Sequence, residues 1–290
     1  MVYETERTDI HFRRASFENL ASAVETPVAA TGEIERHPSV VRAGTRVIFF
    51  WWQNAPNPRW MVRVREYTPA FTEADATWGP PTELSPTEAP LPSRRRGIFS
   101  ATVDDAGEVW AAFVSGFGGP AEIQAVRFNP VTSAKSQPPT FPMTVGSARS
   151  TSVLVDGNGA AWIVWAEDDQ QIFYRRFRKD VDPPDWETSS TLVPGTAGGS
   201  NSWPAGVRDA TGAVWLFWVH RDGQRSDILV ARNNPVTGGW GEPRQLTGST
   251  RAESLPFPVL APDGKIWLFW SSNRAGSLSD LFFKQLVTSL

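Results

Sequence analysis

Four segments of this 290-residue chain repeat at nearly constant spacing. GEVWAAF (107–113), GAAWIVW (159–165), GAVWLFW (212–218) and GKIWLFW (264–270) place Trp110, Trp162, Trp215 and Trp267 at intervals of 52, 53 and 52 residues. A weaker fifth copy is TRVIFFW (45–51), with Ile48 at the tryptophan position. A period of this length is too long for most helical solenoids and suits a four-stranded β unit. Each segment is apolar at successive positions, so a strand made from it is covered on both faces.

The rest of the unit can be read around that strand, labelled b. Upstream, SATVDDAG, SVLVDGNG, PAGVRDATG and PVLAPDG are extended runs that close on Asp or Asn and Gly, which predicts strand a and a tight a–b turn. Downstream, a strand c recurs as TDIHFRR (8–14), RWMVRVR (59–65), AEIQAVR (121–127), QIFYRR (171–176), SDILVAR (226–232) and SDLFFKQ (279–285). Five copies end on arginine, at Arg14, Arg65, Arg127, Arg176 and Arg232, and the last has Gln285. A strand d is expected at WGPPTEL (78–84), WETSSTL (186–192) and WGEPRQL (240–246).

Short strands, turn residues between them and stacking of doubly apolar strands predict an all-β propeller, with five blades of four antiparallel strands. The blades fall at 35–88, 89–147, 148–196, 197–249 and 250–290. Residues 1–34 are expected to supply a closing strand to the C-terminal blade, which has its own a, b and c but no d. Six copies of strand c against five of strand b leave one surplus, which also admits six or more blades, a partial ring or a piece of a longer protein.

The repeat, including PDGKIWLFWSSNRAG, resembles those of bacterial sialidase-like propellers and of TolB-type propellers. That resemblance implies the fold. Sialidases pair a Tyr nucleophile with a Glu and hold the substrate carboxylate with three arginines, whereas this chain has only Tyr3, Tyr67 and Tyr174. Its copy of the family's Ser-x-Asp-x-Gly-x-x-Trp box keeps Asp105, Gly107 and Trp110 but has Val103 for the Ser. The resemblance therefore does not carry sialidase activity.

With 28 basic and 31 acidic residues and a net charge of -3, the chain is not a general polyanion binder, so no nucleic-acid partner is expected. Zero cysteines exclude disulfides and thiolate chemistry. The start shows no secretory pattern and no stretch is long enough for a membrane span, so the expectation is a soluble protein, cytoplasmic by default or exported by another route. His11, His37 and His220 lie in different blades without ligand spacing, DGNG (156–159) reads as a turn, and no phosphate-binding loop or nucleophile elbow occurs, so neither metal nor cofactor is expected.

The tryptophans and strand-c arginines recur, and a recurring residue serves the repeating unit. The arginines are expected to meet Asp104, Asp105, Asp156, Asp209 or Asp263 of the a–b turns. Function is expected where repeats differ, in the d–a and b–c loops that share one face of a propeller. These loops carry Arg94, Arg95, Arg96, Arg149, His220, Arg221, Arg251, Arg274 and Glu167 as candidate binding residues, with Trp203 as a stacking platform. Such a face suits a carbohydrate or an acidic group. The expected function is non-catalytic binding, with a glycan or protein partner. The alternatives are a structural subunit of a larger assembly and a glycoside hydrolase using Glu167 and Glu253.

Overall fold

A computed structural model describes residues 2–4, 9–13, 25–54, 60–69, 76–84, 99–115, 122–132, 134–136, 141, 146–248, 250–274, 276 and 279–286, and every regular element among them is a β-strand. β1 (Val2–Glu4), β2 (Ile10–Arg13) and β3 (Glu25–Ala29) form an N-terminal sheet. The next sheet holds β4 (Glu35–Ala43), β5 (Arg46–Asn54) and β6 (Trp60–Thr68), with β7 (Thr77–Trp78) and β8 (Thr82–Glu83) both on β6. The third contains β9 (Ser100–Val103), β10 (Val109–Ser115), β11 (Glu122–Asn129) and β12 (Ala134–Ser136). In the fourth, β13 (Ala148–Val155), β14 (Ala161–Glu167) and β15 (Gln171–Arg178) are followed by β16 (Asp185–Trp186) and β17 (Thr191–Leu192), both on β15. The fifth runs β18 (Ser200–Arg208), β19 (Val214–Asp222), β20 (Arg225–Arg232) and β21 (Arg244–Gln245), and the last β22 (Glu253–Leu260), β23 (Ile266–Ser272) and β24 (Asp280–Leu286). All pairing between these strands is antiparallel. The five sheets built on β5, β10, β14, β19 and β23 are the blades of an all-β, five-bladed β-propeller.

The strands fall into two compact units. One comprises Met1–Pro120 with Gln124–Pro138, and the other Ala121–Ile123 with Pro139–Leu290. In the first, Ile48, Phe50 and Trp52 of β5 face Val109, Ala111 and Phe113 of β10. The other side of β5, Phe49 and Trp51, meets Ile10, Phe12 and Val28 of the N-terminal sheet. In the second, Trp162 and Val164 pack on Val214, Leu216 and Trp218, and Trp215 and Phe217 on Ile266, Leu268 and Trp270. A strand between two sheets must be apolar on both faces, and β14 and β19 are buried over six successive residues each.

Among the described residues β2 pairs with β1 and β3, and β24 pairs with β23. One expectation is corrected, since strand d is interrupted. Pro80, Pro81 and Pro243 supply no ladder donor, and the pieces β7, β8 and β21 are two residues each.

The third and fourth blades are joined directly by hydrogen bonds. The Gly206 amide donates to Ser152 Oγ at 3.2 Å, and Arg208 Nη1 donates to the Asp156 carbonyl at 3.0 Å. Gly157 N–H donates to the Gly212 carbonyl at 3.1 Å, where the two a–b turns touch. Gly212 has φ +87° and a side chain there would lie 2.9 Å from the Gly157 Cα. Gly107 occupies the same turn position at φ +79° with nothing within 4 Å. Gly212→Ala is therefore expected to cost about 2–3 kcal/mol and Gly107→Ala about 1 kcal/mol. Urea denaturation of both variants checks the difference, which reports the blade-to-blade contact alone.

Candidate functional site

The recurring residues account for one another. Trp110, Trp162 and Trp215 donate from Nε1 to Oδ2 of Asp104, Asp156 and Asp209 at 3.2, 2.8 and 2.8 Å. Arg127, Arg176 and Arg232 lie over the same three rings, 5.0, 5.4 and 5.5 Å from the centroids. These three tryptophans are thus structural, each held by an acid at its N–H and an arginine over its ring. The expected Arg–Asp pair forms at Arg232–Asp209, 3.1 Å. Elsewhere the arginine takes another acid: Arg127 pairs with Glu108, and Arg176 with Glu187 at 2.5 Å. Arg65 donates instead to the carbonyls of Gly79 and Val28. Asp263 pairs with Lys265 at 2.9 Å.

The nonrepeating residues gather where each b–c turn meets the start of the next strand a. Ser200 Oγ donates to the Asp169 carbonyl at 2.8 Å, and Asn201 Nδ2 to the Gln170 carbonyl at 2.7 Å. His220 Nδ1 lies 2.9 Å from Asn201 Oδ1. One blade on, Ser226 Oγ donates to the Glu253 carbonyl at 2.8 Å and accepts from the Glu253 amide at 3.0 Å. The b–c loops and the starts of strand a therefore share one end of the second unit.

Strand a carries a bulge just inside this end. The register slips between Arg36 and Ser39, Ser202 and Ala205, and Ser254 and Phe257. The bulged residues His37, Trp203 and Leu255 have φ of 53°, 56° and 53°, the left-handed region, and each precedes a proline. Strained backbone of this kind persists only where its surroundings impose it. At Trp203 the backbone N–H donates to Ser150 Oγ at 3.2 Å. The indole is half-buried and takes no part in the ring contacts or hydrogen bonds found among the described residues.

The structure brings together Arg149, Glu167, Trp203, His220 and Arg221, all at the junction of the third and fourth blades. Arg149 lies 3.8 Å from Asp168, and Glu167 accepts from the Gly146 N–H at 2.7 Å and from Trp165 Nε1 at 3.3 Å. Asp169, which sequence reasoning did not single out, sits within reach of Arg149, Arg221 and Asp168. Enclosure by the loop around its carboxyl pushes it above the usual carboxylate range, against the pull of the two arginines and with the push of Asp168. Its side chain is still reached by solvent, which keeps that effect modest.

Arg274 belongs to a separate cluster. Glu253, fully buried, accepts from Arg274 Nη2 at 2.7 Å, from Ser272 Oγ at 3.2 Å and from Trp270 Nε1. Arg274 also stacks 4.5 Å from the Phe282 centroid. Arg251 is exposed in the loop before β22, and Arg94, Arg95 and Arg96 lie outside the described residues. In the first unit the position equivalent to Glu253 is Glu35, also fully buried. Its Oε1 accepts from Thr31, while Oε2 has no partner among the described residues. Burial pushes this carboxyl up, helped by Asp9 and Glu33 and opposed by Thr31. Among the described residues no group of three or more His, Cys, Asp or Glu is placed to hold a metal ion. No described helix is long and apolar enough to cross a membrane.

Fold and rim together define a β-propeller whose nonrepeating polar groups lie at one end of its strands. No protein-family model matches the chain, and no curated protein matches its sequence. Solved structures do resemble it. Aleuria aurantia lectin in complex with Fucα1-6GlcNAc aligns with a TM-score of 0.63 and 13% identity, over 99% of this chain and 87% of the lectin. An endo-arabinase from Bacteroides thetaiotaomicron aligns at TM-score 0.53 and 13% identity, over 88% of this chain and 94% of the enzyme. An α-L-arabinofuranosidase from Lactobacillus brevis gives 0.51 and 12%, over 87% and 90%. At such identities the likeness establishes the propeller fold alone.

Proposed function

We propose that the protein is a non-catalytic carbohydrate-binding propeller, and that the junction of β13–β14 with β18–β19 holds the sugar. Trp203 carries this reading. A half-buried indole without a partner among the described residues, on a strained bulge of the strand that also carries Asn201 and bonded through the backbone N–H of Trp203 to Ser150 next to Arg149, has the makings of a sugar site: an apolar face for the ring, with polar groups for the hydroxyls on the same strands. The mixed charge of the rim accommodates neutral and acidic glycans. The sialidase-like repeat contributes the fold to this reading and none of the chemistry.

Binding is favoured over hydrolysis because the two carboxylates weighed for catalysis are occupied. Glu253 is saturated by three donors and closed to solvent, and Glu167 is held by a backbone amide and an indole. A glycosidase needs a pair facing an open cleft. The test is a glycan array followed by titration calorimetry on the best ligand. Trp203→Ala is expected to weaken binding at least tenfold, about 1.4 kcal/mol or more, at unchanged stability. Retention of affinity in that variant refutes the site, and turnover of an arabinan or fucoside by the wild type refutes the non-catalytic assignment.

A further inference from the structure

We propose, resting on the carbohydrate-binding reading of the Trp203 junction, that His220 selects its ligand: Nε2 accepts a hydrogen bond from a hydroxyl of a neutral sugar, and protonation of the ring releases that sugar. Asn201, fully buried at the start of β18, sets the chemistry of the ring. Its Nδ2 donates to the Gln170 carbonyl at 2.7 Å and also meets the Gly198 and Thr196 carbonyls at 3.1 and 3.4 Å. Three carbonyl oxygens around one end of a buried amide admit only its NH2 group there, because the turned-over amide would set oxygen against oxygen. The other end, Oδ1, is then the acceptor. His220 Nδ1 lies 2.9 Å from it, so Nδ1 carries the proton.

A neutral imidazole protonated at Nδ1 is an acceptor at Nε2. That atom has no partner among the described residues and is reached by solvent. The ring is also held in position. A side chain on Gly199 would place its Cβ 2.8 Å from His220 Cε1, so the loop ahead of β18 runs close against the ring. Turning the imidazole round would leave the buried Asn201 oxygen without a donor, which is costly. The rim thus presents a fixed acceptor. A sugar hydroxyl can donate to it, whereas a carboxylate, which only accepts, cannot.

The charges around the ring favour the same class of ligand. Asp227 on β20 stands directly opposite His220, and Asp222 lies further along the same face of β19. The b–c turn of the third blade, held by Ser200 and Asn201, brings Asp169 to this end. The cations are Arg221, close enough to act on Asp169, and Arg225, opposite Asp222. Arg149 of the third blade is answered by Asp168, 3.8 Å away. Carboxylates therefore outnumber guanidiniums beside the neutral ring, which disfavours an anionic sugar. Protonation places a second N–H at Nε2 and removes the acceptor. Imidazole is the side chain whose ordinary titration falls between about pH 5 and 8, so a neutral sugar is held at the upper end of that range and released at the lower.

The experiment has a spectroscopic and a binding arm. The chain has 3 histidines, so long-range proton–nitrogen correlation spectra of histidine-labelled protein, assigned with His220→Gln, read the tautomer without any ligand. At about pH 8 the expected pattern for His220 is a protonated Nδ1 and a bare Nε2, and the reverse pattern overturns the proposal. In the binding arm, an array of neutral and acidic glycans is read at about pH 8 and about pH 5 on wild type, His220→Gln and His220→Phe. Wild type is expected to lose at least tenfold in apparent affinity for neutral glycans at the lower pH. Glutamine donates to Asn201 and presents an oxygen that does not titrate, so His220→Gln is expected to bind equally at both. His220→Phe keeps a ring without the acceptor and is expected to bind at least tenfold more weakly at the higher pH, with unchanged far-ultraviolet circular dichroism. A wild-type affinity that does not fall on acidification, a preference for acidic glycans, or a His220→Gln that keeps the wild-type slope overturns the proposal and leaves the Trp203 site standing. Silence across the array, or binding that survives Trp203→Ala, refutes the carbohydrate reading and the proposal with it.

Discussion

Trp215→Ala is expected to destabilise the protein by about 4 kcal/mol and Trp267→Ala by about 1 kcal/mol, although the two residues hold the same place in the repeat. Trp215 is fully buried between β19 and the last blade, its indole N–H is bonded to Asp209, and Arg232 covers its ring. Removal leaves a cavity the size of an indole among strands that are themselves packed on both sides, and takes one donor from a buried carboxylate. Trp267 is half-buried and lacks both partners, with Ala261 at the aspartate position and Gln285 at the arginine position, so its truncation takes no donor from a buried carboxylate. Urea unfolding followed by circular dichroism measures both. Equal costs at the two positions would mean that the aspartate and arginine around Trp215 add nothing to the stability of the repeat.

The contrast between these residues also marks where sequence reading succeeds. A doubly apolar run such as Ile163–Val164–Trp165 between Asp/Gly turns admits only a strand covered on both sides, and all four Trp-bearing copies became central strands of blades. Periodicity says nothing of which side chain satisfies which. The carboxylates of Asp104, Asp156 and Asp209 are bonded to the tryptophan six residues on, a pairing set by the turn geometry, so of the arginines over these rings only Arg232 also reaches its aspartate, while Arg127 and Arg176 take other acids. The bulges were hidden for the same reason, since an extra residue in strand a breaks the two-residue alternation used to find strands. The recurring dipeptides His37–Pro38, Trp203–Pro204 and Leu255–Pro256 were the available signal. Trp203 stood out in the sequence because it fell outside the ladder, whereas Asp169 became visible only once β14 and β18 were side by side.

Asp209→Ala is the second large effect, expected at about 3 kcal/mol near neutral pH. The carboxylate is 4% exposed and accepts from Thr211, the Ala213 amide, Trp215 and Arg232. Breaking a buried pair by deleting one member costs about 3–5 kcal/mol, and the lower end applies because Arg232 keeps 29% of its side chain in water. Burial by itself raises the Asp209 carboxyl, but hydrogen bonds from Thr211, Trp215 and Arg232 outweigh it and hold the group below the usual carboxylate range. A depressed acid contributes stability that is present above its unfolded value, near 3.9, and is lost as pH falls through the folded value. Asp209→Asn, which keeps the shape and one acceptor but not the charge, is therefore expected to be less stable than wild type by a constant amount from about pH 8 to pH 5. Below about pH 4 the wild-type carboxylate protonates and the gap closes. Parallel urea titrations across that range decide the point. A gap that stays constant down to about pH 2.5 would mean that the loss in Asp209→Asn comes from the amide's altered donor pattern, not from the charge held between Trp215 and Arg232.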